Sequence, residues 1–594
     1  MRNERLLALA SLTLLACGNG AGSSATAAQN KASMAQSSPD AQSENDGSDD
    51  DVGAREGGSR AIERVLLISV DGLHQSDLEG FIARKSSSTL AQLADRGVEY
   101  SNARAPTPSD SFPGLLALVT GGTPRSTGVY YDDSYDRTLY PPGSNCQGKA
   151  GTECTYFEIA ATDFTKLFSP LNPDNLPHAK DARGRCVPVY PHDFIRVSTV
   201  FEVIRAAGGH TAWSDKHPAY DLVNGPSGKG VEDLYTPEIN SPIANGGTVN
   251  GINLSATLAQ CDGTTNSLPL SMVGDYTTCE PAVMAYDDVK VQAVINEIKG
   301  KTADGSKAAP VPTILGMNFQ EVSVGQKLPV GGYIDSGGTP TALLAEAIAH
   351  VDASLGRMVD ALEANHLRDS TLIIISAKHG QSPIDRSKLA MEKGAHPVVD
   401  PLGFINAVDP NVDNVFALFV NPNDGSSPAV AGHLQTDDVG LLWLQDQSKS
   451  NVDGVVAQLT DPKNRAAMFA DVLPPGTIFS SSMVHGEELA AIYGDPTSGD
   501  PIAAARAPNV VIQPNWGVIY SGSSKKIAEH GGGTIDDTHV ALLISNPRLR
   551  RRTIEAHVST TQVAPTILEA LDLDPRALDA VRKEGTKSLP GLGL

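Results

Sequence analysis

The segment that decides the fold is RVLLISVDG, residues 64–72, in which apolar side chains run almost without interruption to an aspartate and a glycine. Such a run is typical of a strand buried on both faces of a parallel sheet, and its polar end, Asp71, then lies at the edge of that sheet. Similar but shorter runs recur along the chain. They cover Thr211–Ser214, Thr313–Phe319, Thr371–Ser376 and His539–Ser545.

Helical patterns lie between these runs, and the longest covers Ala342–Asn365, where apolar residues recur every three or four positions. The alternation predicts an α/β fold with a mostly parallel central sheet and helices on both faces. In such sheets the ligand binds beyond the carboxyl ends of the strands. Residues 133–195 interrupt the alternation, and we interpret them as an excursion over the site. Residues 400–515 are interpreted as an inserted smaller α+β subdomain.

The composition is that of a folded, strongly acidic protein. Of the 594 residues, 40% are hydrophobic and 19% charged, and the formal net charge is −23. Duplex nucleic acid is excluded as a partner, because binding its phosphates needs clustered Lys and Arg. A small anionic substrate must therefore be held locally, by metal or by a few placed cations.

Residues 1–17 indicate an export signal, because basic residues precede an apolar run that ends in small residues. Residues 14–17, LLAC, resemble a bacterial lipobox whose cysteine is lipidated, and an ordinary signal peptide is the alternative. Residues 18–60 are rich in Ser, Ala, Gly and Asp, and we expect a disordered tether there. The sequence thus predicts an exported protein, lipid-anchored through Cys17 in the bacterial cell envelope, on the periplasmic side or the cell surface. Residues 61–594 would form its folded domain.

Five further cysteines lie beyond the predicted signal, and an exported chain meets an oxidising compartment. Their spacing favours pairs of Cys146 with Cys154 and of Cys261 with Cys279, which leaves Cys186 unpaired. The spacing resembles neither a zinc finger nor a redox CxxC motif.

Asp71 is followed some forty residues later by Ser111, in the segment PTPSDSFPG that precedes an apolar helical stretch. A hydroxyl at the start of a helix gains from exposed amide groups and the positive dipole end, which favour an alkoxide and an incoming phosphate. A carboxylate on a neighbouring strand can bind a metal that lowers the pKa of that hydroxyl. The alternative is that Asp71 is a turn residue and Ser111 a helix N-cap.

Several segments resemble the type I phosphodiesterase and nucleotide pyrophosphatase branch of the alkaline-phosphatase superfamily. They are VDG at 70–72, SFP at 111–113, VTGGTP at 119–124 and TGV at 127–129. The resemblance implies an alkaline-phosphatase-like fold, with Ser111 as the nucleophile and Asp71 as a metal ligand. It also places Asp132 where the family has an asparagine that contacts phosphate, so Asp132 is a candidate substrate-binding residue.

The strand at 371–376 is followed by AKHG, where the family has Asp-His-Gly. The resemblance implies that His379 binds metal. Lys378 stands where the family has an aspartate ligand. An ammonium group cannot bind metal, but it can place a positive charge beside a phosphate oxygen, so Lys378 is a catalytic candidate. A surface lysine after a strand is the alternative.

The resemblance also implies that His530, in the segment EHGG, binds metal. The family's Asp and His pair, four residues apart, falls on Val322 and Gln326, and Glu321 is the candidate replacement carboxylate. The expected cofactor is one or two divalent ions, zinc by preference, with manganese or calcium as alternatives. Asp215, Lys216 and His217, at the end of a short strand, form a candidate ligand- or phosphate-binding loop, in which Asp215 and His217 are the candidate substrate-binding residues. A solvated turn is the alternative there.

Together these residues predict a metal-assisted hydrolase of phosphoric esters that forms a phospho-serine intermediate. The resemblance favours a diester or pyrophosphate substrate. Three alternatives stay open. One metal near Asp71 and His379 acts with Lys378, or two metals bind through replacement ligands, or the chain is a weakly active or inactive lipoprotein that binds an anionic ligand.

Overall fold

The computed structural model describes most of the predicted folded domain. The described residues are 61–155, 161–392, 432–444, 446–460, 483–495, 499–514, 516–520 and 526–593. The predicted signal with its lipobox at 1–17 and the predicted tether at 18–60 lie outside these ranges, as does part of the predicted insertion at 400–515.

Within the described residues, the central feature is an eight-stranded sheet, and a four-stranded sheet is the next largest. In chain order, their strands are β1 (Arg64–Val70), β2 (Gly97–Tyr100), β3 (Ala212–Ser214), β4 (Asp233–Tyr235), β5 (Ile314–Phe319), β6 (Thr371–Ser376), β7 (Gly432–Thr436), β8 (Gly440–Leu444), β9 (Met483–His485), β10 (Val510–Ile512), β11 (Leu542–Ser545) and β12 (Arg552–Ile554). The large sheet has the order β12-β2-β11-β6-β1-β5-β3-β4, and only β11 runs antiparallel to its neighbours.

Helices cover both faces of the large sheet. The main helices are α1 (Gln75–Arg84), α2 (Thr89–Asp95), α3 (Ser111–Thr120), α4 (Val200–Ala206), α5 (Glu280–Ile298), α6 (Glu321–Lys327), α7 (Ala342–Ala364), α8 (Lys449–Thr460), α9 (Gly486–Tyr493), α10 (Pro501–Arg506) and α11 (Val563–Ala570). Val65 and Leu67 of β1 pack in one core with α3, α4 and α11, whereas Leu66 and Ile68 pack in another with α1, α5 and α7. This confirms the predicted α/β fold. Among the described helices, none is long and apolar enough to cross a membrane.

The four-stranded sheet belongs to the predicted insertion. Its order is β7-β8-β10-β9, and all its neighbouring strands are antiparallel. Helices α8, α9 and α10 lie in the same part of the chain. The predicted excursion contains two small hairpins, Asp133–Asp136 with Thr152–Thr155 and His178–Lys180 with Cys186–Pro188.

The structure confirms one of the two predicted disulfides and corrects the other. Cys261 is bonded to Cys279 as predicted, whereas Cys146 is bonded to Cys186, 40 residues away. Cys154 is the free cysteine, and it is buried. Cys154 lies opposite Ser134 in a strand pair, and its side chain is in the main core. Cys154 is closer to Cys146 in sequence than Cys186 is, but Cys186 is the residue that lies beside Cys146 in space.

Arg506 joins α10 to the excursion through a buried ion pair. Its Nε donates to Asp136 Oδ2 at 2.7 Å, and its Nη1 donates to the carbonyl oxygens of Gly128 and Phe194. Both partners of the ion pair are almost completely buried. We expect Arg506→Met to lower the free energy of unfolding by about 3–5 kcal/mol, because Asp136 would keep an uncompensated buried charge. Urea denaturation followed by circular dichroism measures this change.

The matched control is Arg551→Met, which removes an ion pair with Asp95 whose side chains are more than half exposed. Exposed pairs contribute little to stability, so this variant should unfold like the wild type. Equal unfolding midpoints for the Arg506 variant and the wild type would contradict the assigned role of the buried pair.

Candidate active site

Neighbouring parallel strands deliver polar residues to one edge of the large sheet. Val70 of β1 lies opposite Phe319 of β5, and Met317 of β5 lies opposite Ser214 of β3. On its other side, β1 pairs with β6 in the same direction. Residues that directly follow these strands therefore share the carboxyl-end edge, where ligands bind in sheets of this kind. They are Asp71, Asp215–His217, Gln320 and Ala377–His379.

Asp71 is a buried carboxylate surrounded by donors. Its Oδ2 accepts hydrogen bonds from Lys216 Nζ at 3.3 Å, from Asn318 Nδ2 at 3.2 Å and from Gln320 Nε2. Lys378 Nζ lies 3.9 Å from the same oxygen. Burial alone would raise the pKa of Asp71, but the ammonium groups of Lys378 and Lys216 hold it well below its usual range. Asp71 is therefore an anion with two ammonium groups, those of Lys216 and Lys378, beside it.

Ser111 is the first residue of α3, and Asp110 caps this helix by accepting a hydrogen bond from the amide of Phe112 at 3.1 Å. Ser111 Oγ lies 3.0 Å from Lys216 Nζ and 3.2 Å from His379 Nε2. The hydroxyl thus combines a helix start with two basic side chains, an arrangement that favours an alkoxide.

Lys216 contacts both Ser111 and Asp71. Burial alone would lower the pKa of Lys216, but Asp71 and Asp215 raise it, so the side chain stays an ammonium cation. The sequence-based prediction named both neighbours of Lys216 in the chain as site residues but not Lys216 itself.

Lys378, the predicted catalytic lysine, is completely buried. Its Nζ donates to Asp215 Oδ1 at 2.9 Å and to the hydroxyl of Tyr220 at 3.0 Å. Trp213 Nε1 donates to the other oxygen of Asp215 at 3.0 Å. Burial lowers the pKa of Lys378, and Asp215 opposes that shift. Asp215, predicted to bind substrate, is thus engaged with Lys378.

His379 faces Ser111 with one ring nitrogen and the backbone with the other. Its Nδ1 lies 2.8 Å from the carbonyl oxygen of Gly380, which can only accept, so Nδ1 carries the hydrogen. Burial lowers the pKa of His379 to about 3, so the ring is neutral. The ring of His530 lies 4.1 Å from that of His379, centroid to centroid. Burial also holds the pKa of His530 well below its usual range.

A cleft of about 660 Å³ lies beside this group, a volume within the range of small-molecule sites. Among its lining residues are Lys216, Gln320 and His530 of the group, and also Asp132, Lys327 and Asp437.

Two of the predicted substrate-binding residues line the cleft without reaching Ser111 in the structure. The amide of Asp132 donates to Asp110 Oδ2 at 2.9 Å. His217 Nδ1 lies 2.7 Å from Glu238 Oε1, and the pair is buried. Both residues stay candidate substrate-binding residues.

Glu321 lies elsewhere. It is the first residue of α6, and its carboxylate contacts His350 of α7 at 2.7 Å. Burial raises the pKa of Glu321 to about 8. No contact joins Glu321 to Asp71 or Ser111 within the described ranges, so the structure gives no support to its predicted role as a replacement ligand.

The side chains present do not fit the metal centre that the resemblance implies. Lys378, Val322 and Gln326 occupy three of the implied ligand positions, and none of them supplies a carboxylate or an imidazole. Three buried atoms of this group lack a hydrogen-bond partner, as atoms facing a cation would, namely Asp71 Oδ1, Asp110 Oδ1 and His530 Nδ1. Lys216, however, already supplies a cation to the Asp71 carboxylate. In the part of the chain that the structure describes, no three His, Cys, Asp or Glu side chains are grouped to hold a metal ion. A carboxylate flanked by ammonium groups is not a donor set for zinc.

Two residues of the group, Asn318 and Gln320, were not identified from the sequence, and Lys216 was identified only as part of a candidate ligand- or phosphate-binding loop. Asn318 lies in β5 and Gln320 directly follows the strand, two residues later, and both side chains reach the same oxygen of Asp71, as strand alternation would predict. This alternation was a signal available in the sequence. The direction of the Lys216 side chain could not be predicted in this way, because a loop imposes no periodicity.

Comparison with known proteins places these residues in context. A family model described as type I phosphodiesterase/nucleotide pyrophosphatase matches residues 65–220 and 276–533. The two ranges contain Asp71, Ser111, Lys216, His379 and His530. Among curated protein sequences, none matches the chain.

Several solved structures are similar to this chain. A variant of the alkaline phosphatase PafA is 12% identical, with 90% of this chain and 99% of that chain covered and a TM-score of 0.54. Wild-type PafA is 13% identical at the same coverage, with a TM-score of 0.50. Murine ectonucleotide pyrophosphatase/phosphodiesterase 5 is 12% identical, with 86% and 96% covered and a TM-score of 0.47. At these identities the similarity to PafA shows the fold alone.

Proposed function

The chain belongs to the type I phosphodiesterase/nucleotide pyrophosphatase family and is a phosphoric-ester hydrolase, and we propose that Ser111 is its nucleophile. The supporting observation is the contact of Ser111 Oγ with both Lys216 and His379 at the start of α3. Attack of Oγ on phosphorus would form a phospho-serine intermediate that water then hydrolyses. Positioning and charge stabilisation carry most of the catalysis of phosphoryl transfer, and this site supplies both.

The charges around Ser111 favour a diester or pyrophosphate substrate over a monoester. Asp71 and Asp215 balance the two ammonium groups of Lys216 and Lys378, which contact them. Asp132 adds negative charge at the cleft. A diester phosphorus centre carries one negative charge, whereas a monoester carries about two near neutral pH. Uncompensated like charges in a binding site cost several kcal/mol, so the monoester is the poorer ligand.

We therefore expect kcat/KM for bis-p-nitrophenyl phosphate to exceed that for p-nitrophenyl phosphate by about tenfold or more. Release of p-nitrophenol measures both reactions, with the Ser111→Ala protein as the blank. A preference for the monoester would contradict the charge argument. If neither ester is hydrolysed while phosphate esters bind in a calorimetric titration, the chain is the inactive binding protein that the sequence left open.

We also propose that the chain is exported and anchored by a lipid at Cys17. The segment LLAC at 14–17 supports this proposal, and so do the two disulfides of the folded domain, which need an oxidising compartment. In a bacterial host, Cys17→Ser should move the protein from the membrane fraction to the soluble envelope fraction, because the lipid attachment point is lost. Cys154→Ser removes a buried free thiol and is the control that should leave the protein in the membrane fraction. Equal distribution of the wild type and the Cys17 variant would contradict the anchor.

A further inference from the structure

The nucleophile is contacted by a lysine and a histidine, and we propose that Lys216 and His379 activate Ser111 directly, without a metal ion on its hydroxyl. This inference rests on the proposed function, because it concerns how the same hydroxyl loses its proton. It departs from the metal-assisted mechanism that the family resemblance implies.

The first support is the position of the Lys216 ammonium group. Its nitrogen lies 3.0 Å from Ser111 Oγ and 3.3 Å from Asp71 Oδ2, so one ammonium group contacts both the hydroxyl and the carboxylate. The side chain is only 14% exposed. A divalent ion that contacted both Ser111 and Asp71 would lie beside the Lys216 ammonium group. Like charges at such distances repel strongly in a buried site.

The second support is a fixed second cation. Lys378 Nζ lies 3.9 Å from Asp71 Oδ2 and is tethered by Asp215 and Tyr220. Its side chain is completely buried, so it has no route to water without a change in the sheet edge. Lys216 and Lys378 together place two positive charges around Asp71, the same charge that one divalent ion would supply.

The third support is the orientation of His379. Because its Nδ1 hydrogen is directed at the carbonyl oxygen of Gly380, the lone pair of Nε2 faces Ser111 Oγ at 3.2 Å. The hydroxyl of Ser111 therefore donates to His379 while its oxygen accepts from Lys216. This is the relation of a nucleophile to a general base and to a charge that stabilises the alkoxide.

The chemical steps balance with water as the only co-reactant. The Ser111 hydroxyl proton passes to His379 Nε2 as the Oγ–P bond forms and the bond from phosphorus to the leaving oxygen breaks. The leaving oxygen departs as an oxyanion, and it takes its proton from the water molecule that is consumed in the second step, as that water attacks. The water attacks phosphorus from the side of the departed group, the Oγ–P bond breaks, and His379 returns its proton to Oγ. Lys216 stabilises the charge on Oγ in both steps.

The first test measures metal directly, without reference to turnover. The purified full-length protein is dialysed against metal-depleted buffer without chelator and analysed by inductively coupled plasma mass spectrometry. A second sample, treated with EDTA and then freed of it, is titrated with zinc in a calorimeter. We expect far less than one metal per chain and no zinc binding that depends on Asp71. One zinc or manganese per chain that is lost in Asp71→Asn would overturn the proposal, whether or not any ester is hydrolysed.

The second test measures turnover of bis-p-nitrophenyl phosphate. Millimolar EDTA should leave the wild-type rate unchanged. Lys216→Met should lower kcat/KM by about tenfold or more, since it removes one preorganised charge at the reacting oxygen. Added zinc should not restore that variant, whereas Lys216→Arg, which keeps the charge, should recover part of the rate. Lys449→Met, which removes an exposed lysine of α8, is the matched control.

The outcomes separate this inference from the proposed function. Turnover that needs Ser111, is abolished by EDTA and is restored by zinc would keep the proposed function and overturn the metal-independent activation. Turnover that survives Ser111→Ala would remove the proposed nucleophile. A Lys216→Met protein that is folded by circular dichroism and fully active would overturn the role of Lys216 alone.

Discussion

Replacing Ser111 by alanine is expected to lower kcat/KM for bis-p-nitrophenyl phosphate by about a thousandfold or more, because a covalent mechanism cannot proceed without its nucleophile. The substitution removes one oxygen atom from the start of α3 and leaves the cap by Asp110 in place. Folding should therefore be retained, which circular dichroism and thermal unfolding check. The loss should appear in kcat, because the cleft that binds the ester is lined by other residues.

Ser126→Ala is the matched control, since Ser126 is also a buried serine and lies beyond the C-terminal end of α3, whereas Ser111 begins that helix. It should leave kcat/KM unchanged. Acid quenching during turnover, followed by peptide mass spectrometry, should find the phosphoryl group on the peptide that contains Ser111. A phosphoryl group on another residue, or a Ser111→Ala protein with wild-type turnover, would exclude the proposed nucleophile.

The convergence of four residues could be predicted from the sequence. Asp71 and His379 follow buried strands, so their positions at one sheet edge follow from the parallel register. Ser111 follows from the helix that begins with it, and the structure brings it within 3.2 Å of His379. His530 came only from the resemblance to a family motif, and its ring lies 4.1 Å from that of His379.

The chemistry of the site could not be predicted as well as its location. Glu321 is one residue beyond Gln320, but β5 ends at Phe319 and α6 begins at Glu321, so the side chain of Gln320 reaches Asp71 and that of Glu321 turns toward His350. A sequence pattern gives the boundaries of helices and strands only to within a few residues. An error of that size is enough to assign the role of Gln320 to its neighbour Glu321. The predicted partner of Cys146 was wrong for a related reason. Disulfide pairing depends on distances between loops, and the sequence does not determine those distances.

Gly114→Ala should lower kcat/KM by about a hundredfold, although Gly114 touches no substrate. Gly114 lies one helical turn after Ser111, and α3 packs there directly on the backbone of Lys378. A Cβ atom at Gly114 would lie 2.0 Å from the carbonyl oxygen of Lys378 and 2.6 Å from its carbon. Backbone atoms cannot swing aside as a side chain can. The start of α3 and the end of β6 would have to separate by about 1 Å, and a shift of that size at a reacting group costs on the order of 10² in rate.

The control for this prediction is Gly454→Ala in α8, where a Cβ meets nothing within 4 Å. An alanine in an exposed helix position should stabilise the protein slightly and leave kcat/KM unchanged. Gly114→Ala should instead lower the unfolding free energy by about 1–3 kcal/mol, the usual cost of overpacking. Because that loss leaves the protein folded at ordinary temperature, a low rate in a cooperatively folded Gly114→Ala protein separates displacement of Ser111 from unfolding. If the variant keeps the wild-type rate, the position of α3 against Lys378 does not set the geometry of the nucleophile, and its contact with His379 must be maintained from another direction.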